Sequence, residues 1–280
     1  MEGPWIKAPK TPESTEKPET PTLMHDDEVA KGLGFQGGFV GGSTLMAVTN
    51  SAIFASFGHN WYEGGAYSVK FAKPVYTGDE IRVVWEESEP DPDDKRKITF
   101  WIEKRDGTQT TFGWAALGEA GRKLTPPWER KPISPAETAS DLLPEMKVGD
   151  KYPDFDCCLS KEMFIPKLDQ IEDYNWWYRI ASPWGEPIVP PSELGIMAAV
   201  GVVQQMENAT MEILPTAVWA GFEVVVYGPV FIGHNYHLQS WLYEKCKTAR
   251  STVFFTDELT VDDENGRRVA IIHNKNAILD

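Results

Sequence analysis

Positive charge is scarce in this sequence. Against 42 Asp and Glu stand 27 Lys and Arg, giving a formal net charge of −15 and a pI near 4.8. So acidic a surface repels nucleic-acid phosphates and anionic lipid heads, and neither is an expected partner. An anionic ligand would need locally placed Lys, Arg or helix N-termini. Cysteine is scarce too: there are three, Cys157, Cys158 and Cys246. Adjacent cysteines rarely bond each other, and no Cys/His spacing suits a metal, so inert thiols in a reducing compartment are expected, with no metal and no cofactor. No apolar run approaches the roughly 20 residues that cross a bilayer. The opening Met1-Glu2-Gly3-Pro4-Trp5-Ile6-Lys7 lacks the apolar core of a signal peptide. The cytoplasm is the expected location.

What the chain does have is a repeat. Lys73-Pro74-Val75-Tyr76-Thr77-Gly78-Asp79 returns 155 positions later as Gly228-Pro229-Val230-Phe231-Ile232-Gly233-His234. Each copy follows an alternating segment, 66–71 or 221–226, and precedes further extended runs. Duplication at this scale predicts two copies of one structural unit, with a ligand expected where they meet. The Pro-rich residues 7–22 have the composition of a solvated arm or a strap over the surface. A second Pro-rich break, from Pro126 to Ser140, has the character of a linker. The predicted organisation is an arm at 1–22, a unit at 23–125, a linker at 126–145 and a second unit at 146–280.

Within each unit the elements follow the same order. Residues 43–57 and 192–206 are apolar on nearly every side, which predicts helices wrapped by other structure. Ser43 and Ser192 stand as candidate N-caps, and the Pro190-Pro191 lead-in matches Gly41-Gly42. Strands are predicted at 66–74, 80–89, 96–105 and 109–117, and again at 217–227, 234–244, 249–261 and 267–278. Asp106-Gly107 and Asn265-Gly266 read as hairpin turns, and Glu86 to Asp94 as a solvated acidic loop. One buried helix followed by an antiparallel meander makes an α+β unit whose sheet curls around the helix. Pairing two such units covers the open sheet edges.

A long apolar helix wrapped by an antiparallel sheet, twice in one chain, resembles a double hot-dog fold. The local sequence is similar to the MaoC-like hydratase/dehydratase family. That family carries Asp-x-Asn-Pro-Leu-His, then an acidic helical stretch, a Gly-Phe, an Ile-Ala-His-Gly entry to the central helix and a later Pro-Val-x-x-Gly-Asp connection. The first unit reads His25-Asp26-Asp27-Glu28, then Gly34-Phe35 and Gly41-Gly42; the second reads Asp173-Tyr174-Asn175-Trp176-Trp177-Tyr178. His25 stands at the family's catalytic histidine, but Thr20 and Thr22 replace its Asp and Asn. The second unit keeps Asp173 and Asn175 and has Tyr178 in place of the histidine.

The resemblance implies a hydro-lyase acting on an enoyl or 3-hydroxyacyl thioester of CoA or a carrier protein, with a homodimer as a compatible assembly. Such chemistry needs a base to activate water and an acid to protonate the α-carbon, with a helix-start N–H polarising the thioester carbonyl. His25 or Asp173 is then the principal acid/base group, with Tyr178 and Asn175 assisting. Gly42 either offers its N–H to an oxyanion or only punctuates the chain. Gly42, Ser43, Trp176 and Trp177 are candidate substrate contacts, although the serines also read as caps. Asp173 and Asn175 are equally the residues of an Asx turn. The divided motif also suits a thioesterase, an isomerase, a dehydratase of a non-thioester substrate, or a non-catalytic subunit of a hydratase complex.

Overall fold

The computed structural model describes residues 1–10, 25, 27–32, 34–87, 96–117, 147–198, 217–248 and 251–278. Ten strands form one sheet: β1 (Ile6–Lys7), β2 (Gly65–Phe71), β3 (Glu80–Glu87), β4 (Lys97–Lys104), β5 (Gln109–Leu117), β6 (Phe155–Cys158), β7 (Ala217–Val226), β8 (Asn235–Thr248), β9 (Ser251–Asp263) and β10 (Arg268–Ile278). Their order is β1-β3-β4-β5-β2-β7-β10-β9-β8-β6, with every neighbouring pair antiparallel. The order of the first five strands is mirrored in the last five. The repeat is therefore structural, and its two units join edge to edge through β2 and β7.

In that central pairing Ser68 lies opposite Glu223, and Ala66 and Lys70 lie opposite Val225 and Gly221. Ser68 and Glu223 are themselves 155 residues apart, the offset of the repeat. The approximate two-fold axis relating the halves thus passes between them, and the Ser68 hydroxyl donates to Glu223 Oε1 at 3.0 Å. The repeated connections match as well. Val40 N–H donates to Val75 O and Val189 N–H to Val230 O, both at 2.8 Å. Gly78 and Gly233 close equivalent turns at φ 88° and 83°, a left-handed conformation that favours glycine.

The predicted wrapped helix of the first half is α2 (Gly42–Phe57), with ten buried residues, among them Leu45, Met46, Val48 and Ile53. With apolar residues all round, it is stable only with the sheet on one side and the second half on the other. Its N-cap is Gly41, with no side-chain cap bond. Ser43 is thus the second helical residue and not the cap. In the second half Pro191–Glu193 form a 3-10 turn and residues 194–198 are helical. The rest of the predicted 192–206 helix lies outside the described residues, as do the 126–145 linker, most of the acidic loop and residues 11–24. Of the proposed N-terminal arm, residues 1–10 form a strap along β3, held by the β1 pairing and by Gly3 N–H donating to Val83 O. Ile6 and Ala8 of this strap are themselves buried.

The second half is more polar inside than the first. Asp257 sits in the row Leu242–Asp257–Asn274–Phe222, only 1% exposed. Tyr152 donates its phenol to Asp257 Oδ1 at 3.1 Å, while Oδ2 has no partner among the described residues. Burial pushes this carboxyl up to about 7, against the pull of the Tyr152 hydrogen bond. Between its unfolded value near 4 and about 7 the folded protein holds the extra proton, so this group's contribution to stability is full below that window and lost as pH rises through it. Asp257→Asn is expected to flatten that slope and to exceed the wild type at pH 8 by at least about 1 kcal/mol, read from urea melts at pH 5 and pH 8.

Candidate active site

The sequence expects a ligand where the units meet, and the described structure has an open cleft at that place. Helix α4 (Ile165–Gln170) delivers the chain to the Asp173–Tyr178 segment, anchored by Asp173 N–H donating to Leu168 O at 2.9 Å. Asp173 Oδ1 accepts from Asn175 N–H at 3.2 Å, and Asn175 Oδ1 accepts from Trp177 N–H at 3.1 Å, capping the 3-10 turn Trp176–Tyr178. These are the Asx-turn and capping roles foreseen for the pair. They occupy one carboxylate oxygen and leave Asp173 Oδ2 for other work. Arg179 fixes the segment from outside, donating to Asp173 O at 2.8 Å and pairing with Asp169 at 2.8 Å.

The facing wall comes from the first half. A cleft of about 580 Å³ is lined by Asn50, Ser51, Phe54 and Ala55 of α2 and by Asp173, Tyr174, Asn175, Trp176 and Tyr178. Asp173 Oδ2 lies 3.5 Å from Asn50 Nδ2. The hydroxyl of Tyr178 lies 3.4 Å from that of Tyr62, which α3 (Trp61–Gly64) supplies from the first half. Trp176 is 60% exposed at the rim. Trp177 instead packs edge-on against Phe54, ring centroids 4.7 Å apart, and supports the α2 wall.

Burial raises the Asp173 carboxyl above its ordinary value, opposed by the Asn175 N–H, the Asn50 amide and the Arg179 charge. A carboxylate so placed is a stronger base than one in water. Tyr178 is held far above a free phenol, first by burial and then by the charge of Asp173. Tyr62 shifts the same way, by burial and by Tyr178. Both phenols are therefore protonated donors at neutral pH.

The other sequence candidates lie elsewhere. His25 is half-buried in the first half, its Nδ1 2.7 Å from Phe39 O. A carbonyl only accepts, so Nδ1 carries the proton and Nε2 is the basic nitrogen. His25 does not line the cleft, and neither do Gly42 and Ser43. A Cβ at Gly42 would come within 2.8 Å of the Phe71 ring and 2.9 Å of the Trp219 ring. The glycine thus permits close packing of aromatic rings on the start of α2. Its counterpart in the half that holds Asp173 is Pro191, which has no N–H to offer.

Five residues around the cleft escaped the sequence reading as site residues: Asn50, Tyr62, Lys167, Ser192 and Glu193. Ser192 N–H donates to Asn50 Oδ1 at 3.1 Å, and Ser192 Oγ lies 3.1 Å from Asn50 Nδ2 and 2.8 Å from Glu193 Oε1. Glu193, fully buried, pairs with Lys167 at 2.6 Å. The available signal was charge out of place, with Glu193 at the head of an apolar run.

Among the described residues no helix is long and apolar enough to cross a membrane. No curated protein matches the sequence. Residues 23–106 match the family described as the MaoC-like domain, a span that includes His25, Gly42, Asn50 and Tyr62 and stops short of Asp173. Similar solved structures include a MaoC domain protein from Chloroflexus aurantiacus J-10-fl, provisionally called a dehydratase. It is 12% identical, with a TM-score of 0.62, over 92% of this chain and 87% of that one. A Mycobacterium tuberculosis protein described as having a double hotdog fold aligns at 12% identity and TM-score 0.57, over 92% and 88%. A Novosphingobium aromaticivorans protein, provisionally called a thioesterase, aligns at 12% identity and TM-score 0.50, over 86% and 88%. Residues 23–106 thus match a MaoC-like domain, and the chain as a whole has the double hot-dog fold.

Proposed function

We propose that the protein is a hydro-lyase that adds water to, or removes it from, an enoyl or 3-hydroxyacyl thioester of CoA or a carrier protein. The observation that carries this reading is the meeting of Asp173, Asn175 and Tyr178, the residues at the family's Asp, Asn and His positions, in one cleft between the halves. Of the two acid/base candidates in the sequence, the reading takes Asp173. In the hydration direction Asp173 accepts a proton from water as the water oxygen bonds to the β-carbon. The electron pair of the double bond moves toward the thioester carbonyl, and the Tyr178 hydroxyl delivers its proton to the α-carbon. The proton on Asp173 then returns to the phenolate, so water is split with its hydrogen on the α-carbon and its hydroxyl on the β-carbon. Pro191 removes the helix-start donor of the family pattern. Tyr62, whose hydroxyl lies 3.4 Å from that of Tyr178, donates toward the phenolate that forms when Tyr178 gives up its proton.

The three cysteines are all free, which suits the cytoplasm, and a homodimer remains the proposed assembly. A panel of enoyl-CoA esters tests the chemistry. Loss of the conjugated-thioester absorbance without release of thiol is the expected result. Thiol release would instead establish a thioesterase, and no change with any ester would remove the hydro-lyase assignment.

A further inference from the structure

The contacts behind Asp173 form a single chain of partners that ends in a buried ion pair. Lys167 Nζ donates to Glu193 Oε2 at 2.6 Å, and the Ser192 hydroxyl donates to Glu193 Oε1 at 2.8 Å. A hydroxyl has one proton, so Ser192 Oγ can meet Asn50 only as an acceptor. Asn50 must therefore present its NH₂ to that oxygen, at 3.1 Å, and its carbonyl to the Ser192 N–H, also at 3.1 Å. The orientation of an amide is otherwise ambiguous; here the ion pair and the backbone N–H settle it from two sides. The second hydrogen of the NH₂ is then directed to Asp173 Oδ2, 3.5 Å away, a long contact of the kind that tightens when a ligand closes a site. Asn50 is 1% exposed, Ser192 1% and Glu193 0%, so water does not compete for these bonds.

We infer that Asn50 is a positioning residue for Asp173, its amide held donor-first by Ser192, Glu193 and Lys167, so that the first half of the chain sets the protonation of a carboxylate belonging to the second. This rests on Asp173 being the working carboxylate of the proposed function. The charged and titratable groups facing Asp173 are Arg179 from its own segment and Tyr178 and Tyr62 from the two sides of the cleft, with Glu193 acting on Tyr178. Among the described residues, Asn50 is the one donor within reach of the outward oxygen. Removing it withdraws a hydrogen bond to the charged form and leaves burial to dominate.

The test is direct titration of Asp173 in the full-length protein with carboxyl-¹³C aspartate, its signal assigned as the one missing from Asp173→Asn. In Asn50→Leu the midpoint of Asp173 is expected to rise by about one unit, a tenfold weaker acid. In Glu193→Gln, which loosens the amide but leaves it in place, a smaller rise in the same direction is expected. The pH profile of kcat should move with both. Should Asn50→Leu fail to fold, the Glu193→Gln titration decides alone. A purely structural Asn50 would lower the melting temperature and leave the Asp173 midpoint within about 0.2 unit of wild type, and that result overturns the inference. The titration needs no turnover, so failure of the hydro-lyase assignment is read separately, from the ester panel.

Discussion

Asp173→Asn is expected to lower kcat/KM for hydration by about a thousandfold while leaving the fold intact. The asparagine keeps an oxygen to accept the Asn175 N–H, so the Asx turn survives. It also removes a charge that burial disfavours, since the Asp173 carboxyl is held above its ordinary value. Circular dichroism and the melting temperature should therefore stay close to wild type. The measurement is steady-state kinetics on whichever ester the panel shows to be turned over. Activity within tenfold of wild type would move the chemistry away from this cleft.

Lys167→Met is expected to cost about 3–5 kcal/mol of stability, because it strands a carboxylate in a site with no exposure. The partner change Glu193→Met, made in the same protein, should recover most of that loss, since a buried ion pair replaced by apolar side chains is often neutral. Urea denaturation of the single and double variants reads both effects. A loss under 1 kcal/mol in the single variant would show that Glu193 finds another partner or takes up a proton. The double variant has a second use. If it is stable but its pH profile resembles that of Asn50→Leu, the ion pair orients Asn50 rather than merely filling space.

The long strands were legible because their signals are local. Alternating apolar residues, Asp106-Gly107 and Asn265-Gly266 put β4 and β5, and β9 and β10, within a few residues of their observed ends. Strands β1 and β6 have two and four residues, too short for any period, and exist because an open edge beside them needed covering. The Asp173 segment stood out in the sequence through its resemblance to the family pattern. Its partners were not, because Asn50 reads as one polar residue in an apolar helix, and only the packing of the two halves shows what it faces. Ser43 failed as a cap for a local reason: Gly41 already takes the cap position, which leaves Ser43 one residue inside the helix.

The pair on the central axis also carries a history. In a symmetric dimer of two identical chains, a residue on the two-fold axis meets its own twin, so a glutamate there faces a glutamate and a serine a serine. Two carboxylates in that place would have to share a proton. Here a hydroxyl faces a carboxylate, Ser68 against Glu223, and the carboxylate is further served by Lys275 at 2.7 Å and by His273. Burial pushes Glu223 up, but His273 and Lys275 outweigh it and hold it below its ordinary value. The two sides of the seam have become lock and key. Once both copies sat on one chain, each could change without its twin changing too.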